Sequence, residues 1–163
     1  TDIAFSMITG TSWFKVPESI KVVFTGKRGE HVYGKDLILE LIRRIGVDGA
    51  LYKALEFTGD TIENLPIDDR MSLCNMAIEA GAKNGIVAYD DITKAFLDEV
   101  EAINPLRANR VIHQSDADAF YTQIVEIDVS KLEPVIAYPF LPSNGKSISQ
   151  AVKDDISIDQ VFV

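Results

Sequence analysis

Two periodicities stand back to back near the start of the chain, and together they restrict it to few folds. Ser19–Thr25 (SIKVVFT) sets Ile20, Val22 and Phe24 against Lys21, Val23 and Thr25, the period-two pattern of a half-buried strand. Gly26 to Gly29 is a basic, glycine-bounded turn. Gly34–Ile45 (GKDLILELIRRI) then places Leu37, Leu41 and Ile45 at i, i+4 and i+8, with Ile38 and Ile42 widening the face and Gly46 in the position of a C-cap. A strand running through a turn into an amphipathic helix is the first half of a βαβ unit.

The pattern repeats. Ala50–Gly59 alternates loosely and reads as a strand, and Pro66–Asp69 supplies a proline turn and an acidic N-cap. The following helix extends to about Ala82. Gly85–Tyr89 is a short apolar strand, Asp90 or Asp91 caps a helix over Ile92–Ile103, and Asn104–Pro105 ends it. Phe120–Val129 alternates again as a strand. Glu133–Asn144 holds three prolines and reads as irregular chain. A short helix around Ser147–Val152 and a strand-like close, Ile158–Val163, complete the sequence. Alternation of strands and helices makes the fold class α/β.

The chain has 163 residues, 47% of them hydrophobic, enough for one sizeable domain with its own core. A net charge of −9 argues against nucleic acid or an anionic membrane as a main partner. One cysteine excludes an internal disulfide and argues against a cysteine-built metal site within the chain. No apolar run approaches the ~20 residues of a spanning helix, and no signal peptide is visible, so a cytoplasmic location is the default expectation. Thr1–Gly10 reads as the tail of a helix, and the strand-like end lacks a polar tail. Both features suggest a piece of a longer protein.

Several motifs imitate functional sites. Gly145-Lys146-Ser147 resembles the end of a P-loop, but Phe140 stands where the leading glycine belongs and a Pro-rich stretch precedes it. Asp116 and Asp118 imitate a calcium loop, with Phe120 at the next ligand position, so a capped turn fits better. Asp68-Asp69, Asp90-Asp91 and Asp154-Asp155 fall where N-caps are expected. His31 and His113 have no ligand partners at suitable spacing.

Residues 71–81, MSLCNMAIEAG, are different. On a 3.6-residue period Met71, Cys74, Ile78 and Ala82 form a core stripe, and Ser72, Asn75 and Glu79 an adjacent polar one. Asn75 and Glu79 are i, i+4 neighbours. Such a pair fits a solvent-exposed edge, and it also fits the wall of a polar cavity that touches a ligand or a catalytic histidine.

This helix also carries a resemblance. Thr11–Pro17 (TSWFKVP), Ile45–Gly59 (IGVDGALYKALEFTG), Ile67–Lys83 (IDDRMSLCNMAIEAGAK), Leu132–Pro134 (LEP) and Ile158–Val163 (IDQVFV) resemble the aconitase superfamily. They are most similar to the large subunits of its isopropylmalate and homoaconitate branches. The resemblance implies a [4Fe–4S] hydro-lyase that isomerises a hydroxy-diacid by removing and re-adding water. In the isopropylmalate branch the substrates are 2- and 3-isopropylmalate, in leucine biosynthesis. In the other branch, the alternative for this chain, the enzyme is homoaconitase.

The implied fold is a three-layer α/β domain with flanking pieces of its neighbours. Residues 1–16 would be the tail of a preceding domain, 17–136 the second aconitase-type domain, and 137–163 the start of the next. Asn75 matches an asparagine beside the cluster and Glu79 a glutamate that orients catalytic histidines. Cys74 matches a non-ligand position. The family's Asp-Ser-His-Thr motif, its Gly-Ser-Cys-Thr-Asn-Gly loop and its later Cys-x-x-Cys are absent, so the cluster's cysteine ligands would lie outside this chain. The implied partner is a small subunit bearing the swivel domain. The fragment alone is then expected to be inactive, and a non-catalytic, subunit-binding module is the alternative of another class. Apolar residues such as Phe140, Leu141, Val161 and Phe162 would be left exposed.

Overall fold

The computed structural model describes residues 2–103 and 111–160. In chain order the elements are α1 (Asp2–Thr9), β1 (Ser19–Thr25), α2 (Gly34–Ile45), β2 (Ala54–Thr58), α3 (Asp60–Glu63), α4 (Ile67–Asn75), a 3₁₀ segment (Met76–Ala80), β3 (Asn84–Val87), α5 (Asp91–Ile103), β4 (Gln123–Asp128), β5 (Val135–Ala137), β6 (Gly145–Ser147) and α6 (Ile148–Lys153).

Four strands form one parallel sheet in the order β3-β2-β1-β4. Its register brings one face together: Ile20 stands beside Leu55, and Val22 lies between Phe57 and Val125. Phe24 stands beside Ile127. Ile20, Val22, Phe24, Leu55, Phe57 and Ile127 are all buried, and Phe24 and Phe57 meet with ring centroids 6.3 Å apart. α2 and α4 cover this face, contributing Leu37, Ile38, Leu41, Ile42 and Leu73 to a single core. The half-buried alternation expected for β1 is present, and the α/β class stands as a parallel sheet flanked by helices.

α2 is buried more completely than an amphipathic stripe predicts, because Asp36 and Glu40 are also covered. Each has partners. Asp36 accepts from Tyr33 N–H and Val135 N–H, both at 2.8 Å, which ties β5 to the start of α2. Burial alone would raise the Glu40 pKa, but hydrogen bonds from Arg43 and Arg44 outweigh it and hold the carboxyl below its ordinary value.

Three expectations are corrected. Ala50–Lys53 is a turn and β2 begins at Ala54, because Ala50 and Tyr52 give their N–H groups to the 3₁₀ segment and its exit. The Pro-rich stretch is not wholly irregular: β5 and β6 pair antiparallel, Val135 opposite Ser147. Asp154 and Asp155 follow α6 instead of capping its start, and Asp154 accepts from Lys146 Nζ at 2.7 Å and Tyr138 Oη at 2.8 Å. Phe140 is 98% exposed and Leu141 half-exposed, as expected, while Val161 and Phe162 lie outside the described residues. The strand-like close over 158–163 lies partly outside them too, and its described part forms no strand.

Gly59 connects β2 to α3 with φ 103°. A Cβ there would run into the Phe24 carbonyl. Gly59→Ala should therefore lower stability by about 3 kcal/mol through steric overlap and a disfavoured backbone, read as a lower urea midpoint at an unchanged slope.

Candidate functional site

The stretch holding Asn75 and Glu79 is not one continuous α-helix. α4 ends at Asn75 and tightens into the 3₁₀ segment Met76–Ala80, which Gly81 closes with φ 81°. The tighter winding changes the phase of the side chains. The buried positions are Arg70, Leu73, Ala77, Ala80 and Ala82. Met71 and Ile78, placed on the core stripe by periodicity, are instead exposed. Cys74 is half-buried against the core, as a small apolar residue would be.

Two contacts seat this stretch. Gly85 of β3 lies against the α4 backbone, where an added Cβ would sit 2.9 Å from the Cys74 Cα. Ala50 N–H donates to Ala80 O at 2.9 Å and Tyr52 N–H to Gly81 O at 3.0 Å. Asn75 and Glu79 both remain exposed, and no hydrogen bond joins their side chains to another described residue. Their α-helical i, i+4 pairing is broken by the change of winding. What survives is a polar pair on the solvent side of a well-anchored turn.

Behind that surface lies a group the periodicity did not reveal. Arg70 is 3% exposed. Its Nε donates to Leu65 O at 2.8 Å and its Nη2 to Ile62 O at 2.9 Å. Both terminal nitrogens donate to the Asp90 carboxylate at 2.7 Å. Asp90 also accepts from Thr93 N–H at 3.0 Å and so caps α5, as expected from its doublet. The Arg70 hydrogen bonds hold the Asp90 carboxyl down to about 2. A signal was present: Arg70 falls three residues before Leu73, on the buried side. Asp69, expected at an N-cap, sits in the first turn of α4 and accepts from Gly34 N–H at 2.9 Å.

The imitation motifs resolve as structure. Gly145-Lys146-Ser147 is β6, and Ser147 caps α6 with Gln150 completing the box. Asp116 accepts from Ala119 N–H in a turn. His31 is exposed beside Glu30, and His113 is also exposed. A cavity of about 840 Å³ lies over the carboxyl ends of β1 and β2, lined by Lys27, Arg28, His31, Tyr33, Asp60 and Asn64 among others. Neither Asn75 nor Glu79 lines it.

The described residues do not fit an iron–sulfur cluster. No three His, Cys, Asp or Glu side chains among them converge on a metal position. The one cysteine, Cys74, has its thiol pKa raised by burial, offset only in part by the Arg70 charge.

The aconitase family (aconitate hydratase) model matches residues 1–161. The chain belongs to the aconitase family. Its whole length also matches curated relatives named "3-isopropylmalate dehydratase large subunit". These include proteins from Nautilia profundicola at 81% identity, Aliarcobacter butzleri at 73% and Wolinella succinogenes at 73%. The chain spans 38% of the length of each. Membership in the aconitase family fits the parallel sheet flanked by helices.

Asp90→Ala should cost this aconitase-family domain about 3 kcal/mol, because it leaves a buried guanidinium without its counter-charge. The native carboxyl titrates below its unfolded value, so the pair stabilises fully above about pH 4 and is lost as pH falls toward 2. The stability gap between the parent and Asp90→Asn should be constant above about pH 4 and shrink as pH falls toward 2, read from urea midpoints measured across that range. Cys74 should alkylate slowly at neutral pH and react fully only on unfolding, as followed by mass spectrometry.

Proposed function

We propose that this chain is part of a 3-isopropylmalate dehydratase large subunit, a hydro-lyase that interconverts 2- and 3-isopropylmalate in leucine biosynthesis. One observation carries the reading: identity of 81% over the entire chain to a relative of that name. Residues 17–136 correspond in this reading to the second aconitase-type domain, with 1–16 and 137–163 belonging to its neighbours. The partner is the small subunit with the swivel domain, and the compartment is the cytoplasm.

The parent's [4Fe–4S] cluster takes its thiolates from outside this chain, since Cys74 is neither grouped nor ionised. The chain's own contribution is to bind and orient. The exposed Asn75 amide offers two donors and an acceptor to a neighbouring polar centre. Glu79 offers a carboxylate that accepts hydrogen bonds, suited to holding an imidazole in one orientation and stabilising its protonated form. The last turn of α4 and the 3₁₀ segment that follows present the two groups outward, where the rest of the site can close over them.

The test uses the full-length large subunit, loaded with its cluster and combined with its small subunit. Turnover of 2-isopropylmalate is expected, and Glu79→Gln should lower kcat by about 100-fold or more at unchanged thermal stability. A preference for homoaconitate would overturn the substrate assignment, and a fully active Glu79→Gln enzyme the role of Glu79. The isolated chain, given iron and sulfide, should develop no stable [4Fe–4S] absorption.

A further inference from the structure

The segment that carries Glu79 has little packing of its own. Met76–Ala80 buries only two side chains, those of Ala77 and Ala80. Its seat is the turn at 50–53. Ala50 and Tyr52 donate to the carbonyls of Ala80 and Gly81, and Lys83 N–H returns to Lys53 O at 2.8 Å. These bonds form with Tyr52 at φ 59°. That is the left-handed region, easy for glycine and disfavoured for a bulky side chain. A tyrosine persists there only where its surroundings over-determine it.

The surroundings are two cations on its ring. Lys83 Nζ lies 4.4 Å from the ring centroid and Lys15 Nζ 5.9 Å. Both are within the range of cation–π attraction. Lys83 belongs to the chain leaving the 3₁₀ segment, and Lys15 to the TSWFKVP stretch that leads into β1. The ring therefore joins three segments at the amino end of the sheet. Its backbone fixes the turn that bears Glu79, and its face gathers positive charge in a chain of net charge −9.

We propose that Tyr52 is a positioning residue for Glu79: its left-handed backbone and its lysine-flanked ring together clamp the 3₁₀ turn in the orientation the reaction needs. This rests on the reading of Glu79 given above, and the experiment separates the two. In the full-length, cluster-loaded enzyme with its small subunit, kcat and KM are measured for four variants and normalised to folded protein. Amide exchange at Gly81, Ala82 and Lys83 is followed on the same samples.

Tyr52→Phe keeps the ring and should stay within about twofold of the parent, whereas Tyr52→Leu should lose about tenfold in kcat with KM little changed. Tyr52→Gly relaxes the backbone but removes the ring, and should resemble Tyr52→Leu. In both damaged variants the Lys83 amide should exchange faster. Parent-like kcat and protection in Tyr52→Leu, or a loss that disappears on normalisation, overturn the proposal. An inactive Glu79→Gln beside a parent-like Tyr52→Leu overturns this proposal alone. A fully active Glu79→Gln overturns the reading of the site and this proposal with it.

Discussion

The buried guanidinium of Arg70 is the constraint on which the second crossover of the sheet depends. A charge removed from water needs both a counter-charge and filled hydrogen-bond positions. Arg70 finds the first in Asp90 and the second in the carbonyls of Ile62 and Leu65. One side chain thus joins the end of α3, the body of α4 and the start of α5. With Arg70 facing inward, Leu73, Ala77 and Ala80 follow it into the core. Asn75 and Glu79 are left on the outside.

The outward face is held by backbone as much as by side chains. Gly85 lets α4 approach β3 to contact distance. Main-chain bonds from the 50–53 turn hold the 3₁₀ segment. This division suits a site that must be rigid without being filled. Small alanines occupy the inner side, so the seat is set by main-chain geometry, and the outer side keeps its polar groups available. The large cavity over the carboxyl ends of β1 and β2 is separate from this surface. It belongs to the basic loop following β1, and neither Asn75 nor Glu79 lines it.

Much of this was legible in the sequence. Strand β1 and helix α2 follow from their periodicities, because one buries a single face and the other carries an apolar stripe. The parallel α/β class follows from their repetition. Where reading failed, a tertiary bond overrode a local pattern. Ala50–Lys53 looks like strand, yet its N–H groups serve the 3₁₀ turn. Met71 and Ile78 look like core residues until the helix changes its winding at Met76. The β5–β6 pair was hidden by prolines, and Asp36, a helix residue by sequence, supplies the acceptor that anchors β5. Arg70 was missed because a charged residue on a buried face is intelligible only with its partner, twenty residues later. Asn75 and Glu79 could be singled out from the motif, but spacing alone favours an exposed edge over a cavity wall.

The central claim is that Asn75 and Glu79 form one wall of a site completed by other parts of a longer protein. The most direct measurement is a structure of the full-length, cluster-loaded large subunit with its small subunit and a bound hydroxy-diacid. The account predicts the Glu79 carboxylate within about 3 Å of a histidine nitrogen or another donor of that site, with Asn75 beside the cluster. Finding both side chains on the outer surface of the assembly, facing only solvent, would contradict it.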